Sequence, residues 1–273
     1  MYCYLLMNAM KQYICNPINL NSMKHLLSFL IVLILTFASC EKEDKIAFEP
    51  IVYLGDQCTN CTSVKISIPN ALEDSKISKT INNSLKEEII YLLTFEDGIN
   101  VTTIEEAISS FKNGYTIQKN KFPDESIGWE VKIDGEVAYE DENIVTIQLK
   151  TYIFTGGAHG YTPTRFLNFD KKKGLELENW ELFKDLDTFI RFAETKFRVQ
   201  EHVPLEKSIN STGFMFDDNR FYLSENIGFT KEGMKLFYDQ YEVASYADGP
   251  IVLNLPYNEV QDYLAFKLKK NDN

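Results

Sequence analysis

The chain has 273 residues, with 40 Asp and Glu against 28 Lys and Arg, and a formal net charge of −12. So acidic a surface repels polyphosphate, which excludes nucleic acid as a natural partner and leaves cationic proteins as the complementary class. Hydrophobic residues make up 44% of the chain, enough for one large or two modest folded units.

In chain order, the first element is a targeting segment. Lys24 and His25 follow Met23, an apolar run extends from Leu26 to Leu35, and "FASC" ends at Cys40. A basic start, a short apolar core and small residues before a cleavage point mark a secretory signal. The run falls short of the roughly 18 residues that span a bilayer, so a cleaved signal over residues 1–39 is expected, with Met23 as the true start. Ala38-Ser39-Cys40 resembles a bacterial lipobox, with Phe37 where the pattern prefers Leu; Cys40 would then carry the lipid. The charged stretch "CEKEDK" opens a tether over residues 40–49 and resembles the acidic surface-export signals of Bacteroidetes-type lipoproteins. Removing the signal takes away Lys11 and Lys24 and no acid, so the exported chain is more acidic still. The expected address is a membrane-anchored lipoprotein, periplasmic or on the cell surface.

Cys58 and Cys61, in "CTNC", are the cysteines left after Cys40. In an oxidising compartment they are expected to form a local disulfide. A redox-active pair would need a helix starting at the first thiol, and "SVKISIP" follows instead, alternating like a strand. Zinc would need two further ligands, and His159 and His202 lack the spacing.

Val64, Ile66 and Ile68 alternate with Lys65 and Ser67 in a half-buried strand that Pro69 is expected to stop. Between Leu72 and Leu93, Ile77, Ile81, Leu85 and Ile89 form one helical stripe. A second helix is expected from Thr103, whose hydroxyl can cap it while Glu106 reaches back, with Ile104, Ala107, Ile108 and Phe111 inward. Asp134-Gly135 sits between Trp129, Val131, Ile133 and Val137, Tyr139, which predicts a hairpin turn there. Val145, Ile147, Leu149 and Ile153 define the next strand; "RFLNFD" and a turn at "KKKG" follow. "LFKDLDTFIRFAETKFRVQ" reads as a helix through Leu186, Ile190, Ala193 and Phe197. The last third is aromatic and strand-like, with a turn near Glu232-Gly233 and a short helix after Pro256. Elements in blocks predict an α+β fold with mostly antiparallel sheet and packed helices.

No G-x-S-x-G, G-x-G-x-x-G or H-E-x-x-H motif occurs, and no cofactor is expected. Acidic pairs such as Asp217-Asp218 and Glu105-Glu106 read as solvated faces in a chain this acidic. A two-carboxylate polysaccharide-acting enzyme remains an alternative, since separation in space is not visible in sequence. The densest polar constellation is "TGGAHGY", spanning Thr155, Gly156, Gly157, His159, Gly160 and Tyr161. Its glycines permit a sharp turn with exposed N–H groups. His159 reads as the staple of that turn through bonds to neighbouring carbonyls; a partner-contact role for the loop is the other option. His202 reads as a helix-end or surface residue. Tyr238, Tyr241, Tyr246 and Tyr257 could form a carbohydrate platform but at strand spacing read first as packing.

"TGGAHGY", "FDKKKGLELENWELF" and "GMKLFYDQYEVASYADGPIVLNLPYNEV" resemble one bacterial envelope family, with "SKTINNSLKEEI" a looser match. It includes the extracellular region of the lysozyme-sensing anti-sigma factor RsiV and the accessory region of the peptidoglycan deacetylase PdaC. Members usually carry Pro where Ser245 stands. The resemblance implies two related α/β-sandwich-like modules, PdaC-like over residues 50–155 and RsiV-like over residues 156–273. It implies no catalysis, since the deacetylase's metal-binding domain has no counterpart here. The expected function is a non-catalytic, lipid-anchored envelope binding module for a cationic protein such as lysozyme, or for peptidoglycan. A purely structural lipoprotein is the remaining alternative.

Overall fold

A computed structural model describes residues 45–55, 61–95, 100–123 and 127–268. Cys40 and Cys58, the expected lipid and disulfide sites, lie outside these residues. Among the described residues, no helix is long and apolar enough to cross a membrane.

The fold is α+β. Strands β1 (Phe48–Leu54), β2 (Ser63–Ala71), β3 (Glu130–Glu140), β4 (Ile144–Phe154), β5 (Thr164–Asp170) and β6 (Leu175–Leu177) form one sheet in sequence order. Every neighbouring pair is antiparallel except β2 and β3. Two parallel neighbours need a crossover, supplied here by helices α1 (Lys76–Leu93) and α2 (Ile104–Lys121). Ser75 accepts from the Ser78 amide to cap α1. Thr103 and Glu106 form the reciprocal capping box that their spacing predicts for α2. Ile81, Leu85 and Ile89 of α1 and Ala107 and Phe111 of α2 pack on Val64, Ile66, Val131, Ile133, Ile147 and Leu149 of the sheet. Each such large side chain, fully buried, contributes roughly 1.5–3 kcal/mol. Trp129 closes one end of this core against Phe95, Phe111 and Tyr115.

A second core forms around helix α3 (Leu186–Gln200) and the antiparallel sheet β7 (Ile227–Phe229), β8 (Met234–Tyr238) and β9 (Ile251–Leu255), with short helix α4 (Tyr257–Val260) at its edge. Phe197 is its hub, touching the rings of Phe214, Phe216, Phe221 and Tyr238. The two sheets meet where β7 lies on β5. Buried Asn168 accepts from the Thr146 hydroxyl at 2.8 Å and donates to the Ile227 carbonyl at 2.7 Å, so each sheet satisfies a polar group of the other.

Several local expectations are corrected. Asp134-Gly135 is no turn: β3 runs straight through it, and the chain reverses at residues 141–143, where the Asp141 carboxylate accepts from the Asn143 and Ile144 amides. Gly135 is there for close approach, since a Cβ would fall 2.9 Å from both Leu149 and Pro69 side chains. Pro69 does not end β2; it faces Pro50 across the β1 pairing, just past the last rung shared with β3. Helix α1 starts at Lys76 rather than Leu72, and α3 starts at Leu186 behind its cap Asp185. The buried face of α3 is Phe189, Ala193 and Phe197, with Leu186 exposed. β1 begins at Phe48, and residue 155 lies between β4 and β5 of the large sheet.

Candidate functional site

The glycine-histidine loop leaves β4 and returns to it. Tyr161 pairs with Ile153 in both directions, its amide donating at 2.8 Å and its carbonyl accepting at 2.9 Å. Between these anchors Gly156 and Gly157 take φ of +102° and +90°, with open space where a Cβ would point. Thr155 is half-buried at the loop's base. His159 is exposed, its Nδ1 3.2 Å from the Gly160 carbonyl, which can only accept. The same carbonyl accepts from the Tyr246 hydroxyl at 3.3 Å, and the His159 ring stacks on the Tyr246 ring at 3.9 Å and 21°. Tyr241 packs on Tyr246 at 5.4 Å. The loop is thus joined to the block "YEVASYADGP", 80 residues further on. At the corner of that block Ser245 donates to the Asp248 carboxylate at 2.6 Å.

His159→Ala therefore removes one ring stack and one weak hydrogen bond on the surface, worth about 1 kcal/mol together. The expected result is a melting temperature lower by about 2–4 °C, read by thermal unfolding. Unchanged melting would show that the stack does not hold the loop.

Beside the loop lies an open cleft of ≈ 660 Å³, walled by Tyr161, Tyr222 and Tyr241 and floored by Asn226, Asp239 and Glu242, with Asp217 and Glu225 at its margins. Among its lining residues Arg165 is the single cation, and it is engaged: Nε donates to Glu88 and Nη1 to Asn226, each at 3.2 Å. Asp239 accepts from the Thr164 amide at 3.1 Å and from Asn226 at 3.3 Å. Glu242 reaches back to accept from the Asp239 amide at 2.8 Å. Partial burial, then the charges of Asp239 and Glu225, push the Glu242 carboxyl up to about 7 against the opposing pull of the Asp239 amide and, more weakly, Arg165. Burial also raises Asp239, moderated by the Thr164 amide and Arg165. Tyr161 is raised by burial and by the same two carboxylates. Such a cleft favours a cation that supplies the missing positive charge.

The structure thus brings Tyr161 of the predicted constellation to the cleft and sets His159 at its rim through Tyr246 and Tyr241. The tyrosine group divides: Tyr238 is fully buried and donates to the Tyr222 carbonyl, and Tyr257 donates to the Thr230 carbonyl, while Tyr241 is 58% exposed. His202 is exposed just past the end of α3, at φ 56°. Cys61 is disulfide-bonded. Among the described residues no group of three His, Cys, Asp or Glu side chains could hold a metal ion. Arg165, Asn226, Asp239 and Glu242 escape motif reading because they are single residues scattered over strands and loops.

Residues 56–162 match the family model described as "Deacetylase PdaC", and residues 181–258 match that of a protein of unknown function, DUF3298. Among solved structures, a DUF3298 family member from Bacteroides fragilis is similar with a TM-score of 0.63 at 18% identity, covering 81% of this chain and 95% of that one. A DUF3298 family protein from Pseudomonas aeruginosa gives a TM-score of 0.60 at 18% identity, covering 83% and 99%. At that identity the likeness establishes a shared α+β fold. No curated protein matches the chain. The cleft is built mainly by the DUF3298-matching region, with Tyr161 from the last residues of the PdaC match and Arg165 from the segment between the two.

Proposed function

We propose that this chain is a non-catalytic accessory module of the cell envelope, fixed by lipid on Cys40, that contacts a cationic protein segment at the tyrosine-walled acidic cleft. The paired PdaC and DUF3298 matches support the envelope setting. The observation that carries the binding reading is the cleft itself: Asp217, Glu225, Asp239 and Glu242 face a space whose one cation is already held by Glu88 and Asn226. Lysozyme is the natural first probe, being cationic and envelope-directed; soluble peptidoglycan fragments are the second.

The test is binding of lysozyme to the full chain at rising salt. Exposed charge pairs weaken as the Debye length shrinks from about 10 Å at 0.1 M, so affinity is expected to fall at least about tenfold between 50 and 300 mM salt. Asp239→Asn with Glu242→Gln is expected to remove most of that salt dependence. Salt-independent binding, or none, would defeat the cationic-protein reading.

The elevated Glu242 also favours one second reading. A carboxyl poised near neutrality in an open cleft is the type of group that serves as a general acid. Turnover of peptidoglycan fragments abolished by Glu242→Gln would make this chain an enzyme.

A further inference from the structure

The make-up of the cleft separates one kind of cation from another. Its lining sets four carboxylates, Asp217, Glu225, Asp239 and Glu242, against the single guanidinium of Arg165, which Glu88 from outside the lining already offsets. Among the described residues no lysine lines it, and Arg220, which follows the short turn at Asp217–Asn219, stays outside the lining. The two central carboxylates keep acceptor capacity. Glu242 takes the Asp239 amide on one oxygen, and Asp239 takes the Thr164 amide on one oxygen and Asn226 on the other. A carboxylate offers about four acceptor sites, so both can take further donors.

Aromatic rings flank the same two groups. The charges of Asp239 and Glu242 act on the Tyr161 hydroxyl, and those of Glu242, Asp217 and Glu225 on the Tyr222 hydroxyl, so Glu242 is within electrostatic reach of both rings. Tyr222 is held in place: its hydroxyl donates to the Glu242 carbonyl at 3.3 Å and its ring meets Phe216 edge-on at 5.2 Å. Exposed Tyr241 is braced by Tyr246. A guanidinium is flat and weakly hydrated, lies well on a tyrosine face, and can send N–H donors to two acceptors at once. A lysine ammonium is compact and strongly hydrated, and gains less from such walls. Arg165 already bridges in this way at the cleft, with Nε on Glu88 of α1 and Nη1 on Asn226, the residue before β7. The Gln240 side-chain oxygen accepts from the Thr162 hydroxyl at 3.1 Å, which leaves the amide N–H donors of Gln240 for a peptide carbonyl.

We infer that the cleft is a receptor for an arginine side chain of the protein partner, with the guanidinium against the tyrosine walls and bonded to Asp239 and Glu242. The inference rests on the cationic-partner reading proposed above and narrows it from net charge to one type of side chain. An arginine desolvated between aromatic rings is the type of contact that carries a large share of an interface's binding energy.

The experiment presents lysozyme to the full chain in two forms adjusted to equal net charge, one with arginines blocked by a dicarbonyl reagent and one with lysines acetylated. Blocking arginine is expected to weaken binding at least about tenfold and acetylating lysine less than about threefold, because only the first removes the group that the cleft seats. Asn tolerates the φ of 70° found at position 241, so Tyr241→Asn keeps the turn while removing one wall. That variant is expected to bring the two forms within about twofold of each other and to leave the salt dependence in place. Equal weakening of the two forms, or a greater loss on acetylation, would overturn the arginine inference and leave the cationic-partner reading standing. An undiminished difference in Tyr241→Asn would do the same, since arginine would then be read elsewhere. Unmodified lysozyme that fails to bind, or binds independently of salt, would overturn both.

Discussion

Gly228→Ala is expected to destabilise the protein by about 3 kcal/mol, at the upper end for overpacking a core. Gly228 is buried in β7, and a Cβ there would lie 2.1 Å from Cδ1, 2.2 Å from Cγ and 2.7 Å from Cβ of Phe166. A ring can swing away from a clash, but the Phe166 Cβ cannot, because β5 holds its backbone against Gln148 of β4. So β7 must lift off β5. The neighbouring bond from Asn168 to the Ile227 carbonyl then stretches, and buried Asn168 loses a partner that no water replaces. For a chain of this size the melting temperature should fall by about 6–10 °C, measured by thermal or urea unfolding. Phe166→Leu in the same chain should recover part of the loss, since the two changes meet at one contact and cannot be additive. A Gly228→Ala variant melting with the parent would mean that the two sheets do not approach at this point.

The same contact shows why the fold class was readable from sequence and the coupling of its parts was not. Periodicity reports which face of an element is buried, and it located α2, β4 and the β5–β6 turn because Thr103 with Glu106, the alternating Val145, Ile147, Leu149, and the "KKKG" turn are each local signals. It misjudged Asp134-Gly135 because a glycine needed for close packing between Leu149 and Pro69 is spelled like one needed for a turn. It chose Leu186 and Ile190 for α3 where Phe189 is the buried residue, because the helix begins four residues after its apparent start and a short 3₁₀ turn at Asn179–Leu182 shares its apolar spacing. The cleft was less legible still. Tyr161 lay within a dense local pattern, but Arg165, Asn226, Asp239 and Glu242 converge only after the β5, β7 and β8 strands are assembled. The acidic pairs most visible in the sequence contribute one marginal residue, Asp217, while the carboxylate with the most altered acidity stands among tyrosines as an ordinary "YEV".

Binding of a cationic partner at the cleft is expected to weaken about thirtyfold between pH 8 and pH 5.5, if it requires Glu242 to be ionised. With the carboxyl pushed up to about 7, most of it is charged at pH 8 and only a few per cent at pH 5.5, which sets that factor. Asp239 and Glu225 face the same space and oppose a third negative charge; Arg165 favours it, yet its guanidinium is shared with Glu88 and Asn226. A bound cation relieves the repulsion, so binding should release a proton near neutrality and the uptake or release measured calorimetrically should vanish in Glu242→Gln. Stability should move the opposite way. A carboxyl raised in the folded state holds its proton more tightly there than in the unfolded chain, so between the unfolded value near 4.5 and about 7 the folded form binds more protons. Stability contributed by Glu242 is thus complete below 4.5 and is lost as the pH climbs through 7, by about 1–2 kcal/mol once solvent screening of this partly exposed group is allowed for. Glu242→Gln should flatten that slope. The contribution of Glu242 to stability would then be largest in acid, where protonation closes the cleft to cations, and would be given up in the pH range where the cleft gains a charge. Binding that strengthens on acidification would place the cationic group elsewhere on the surface.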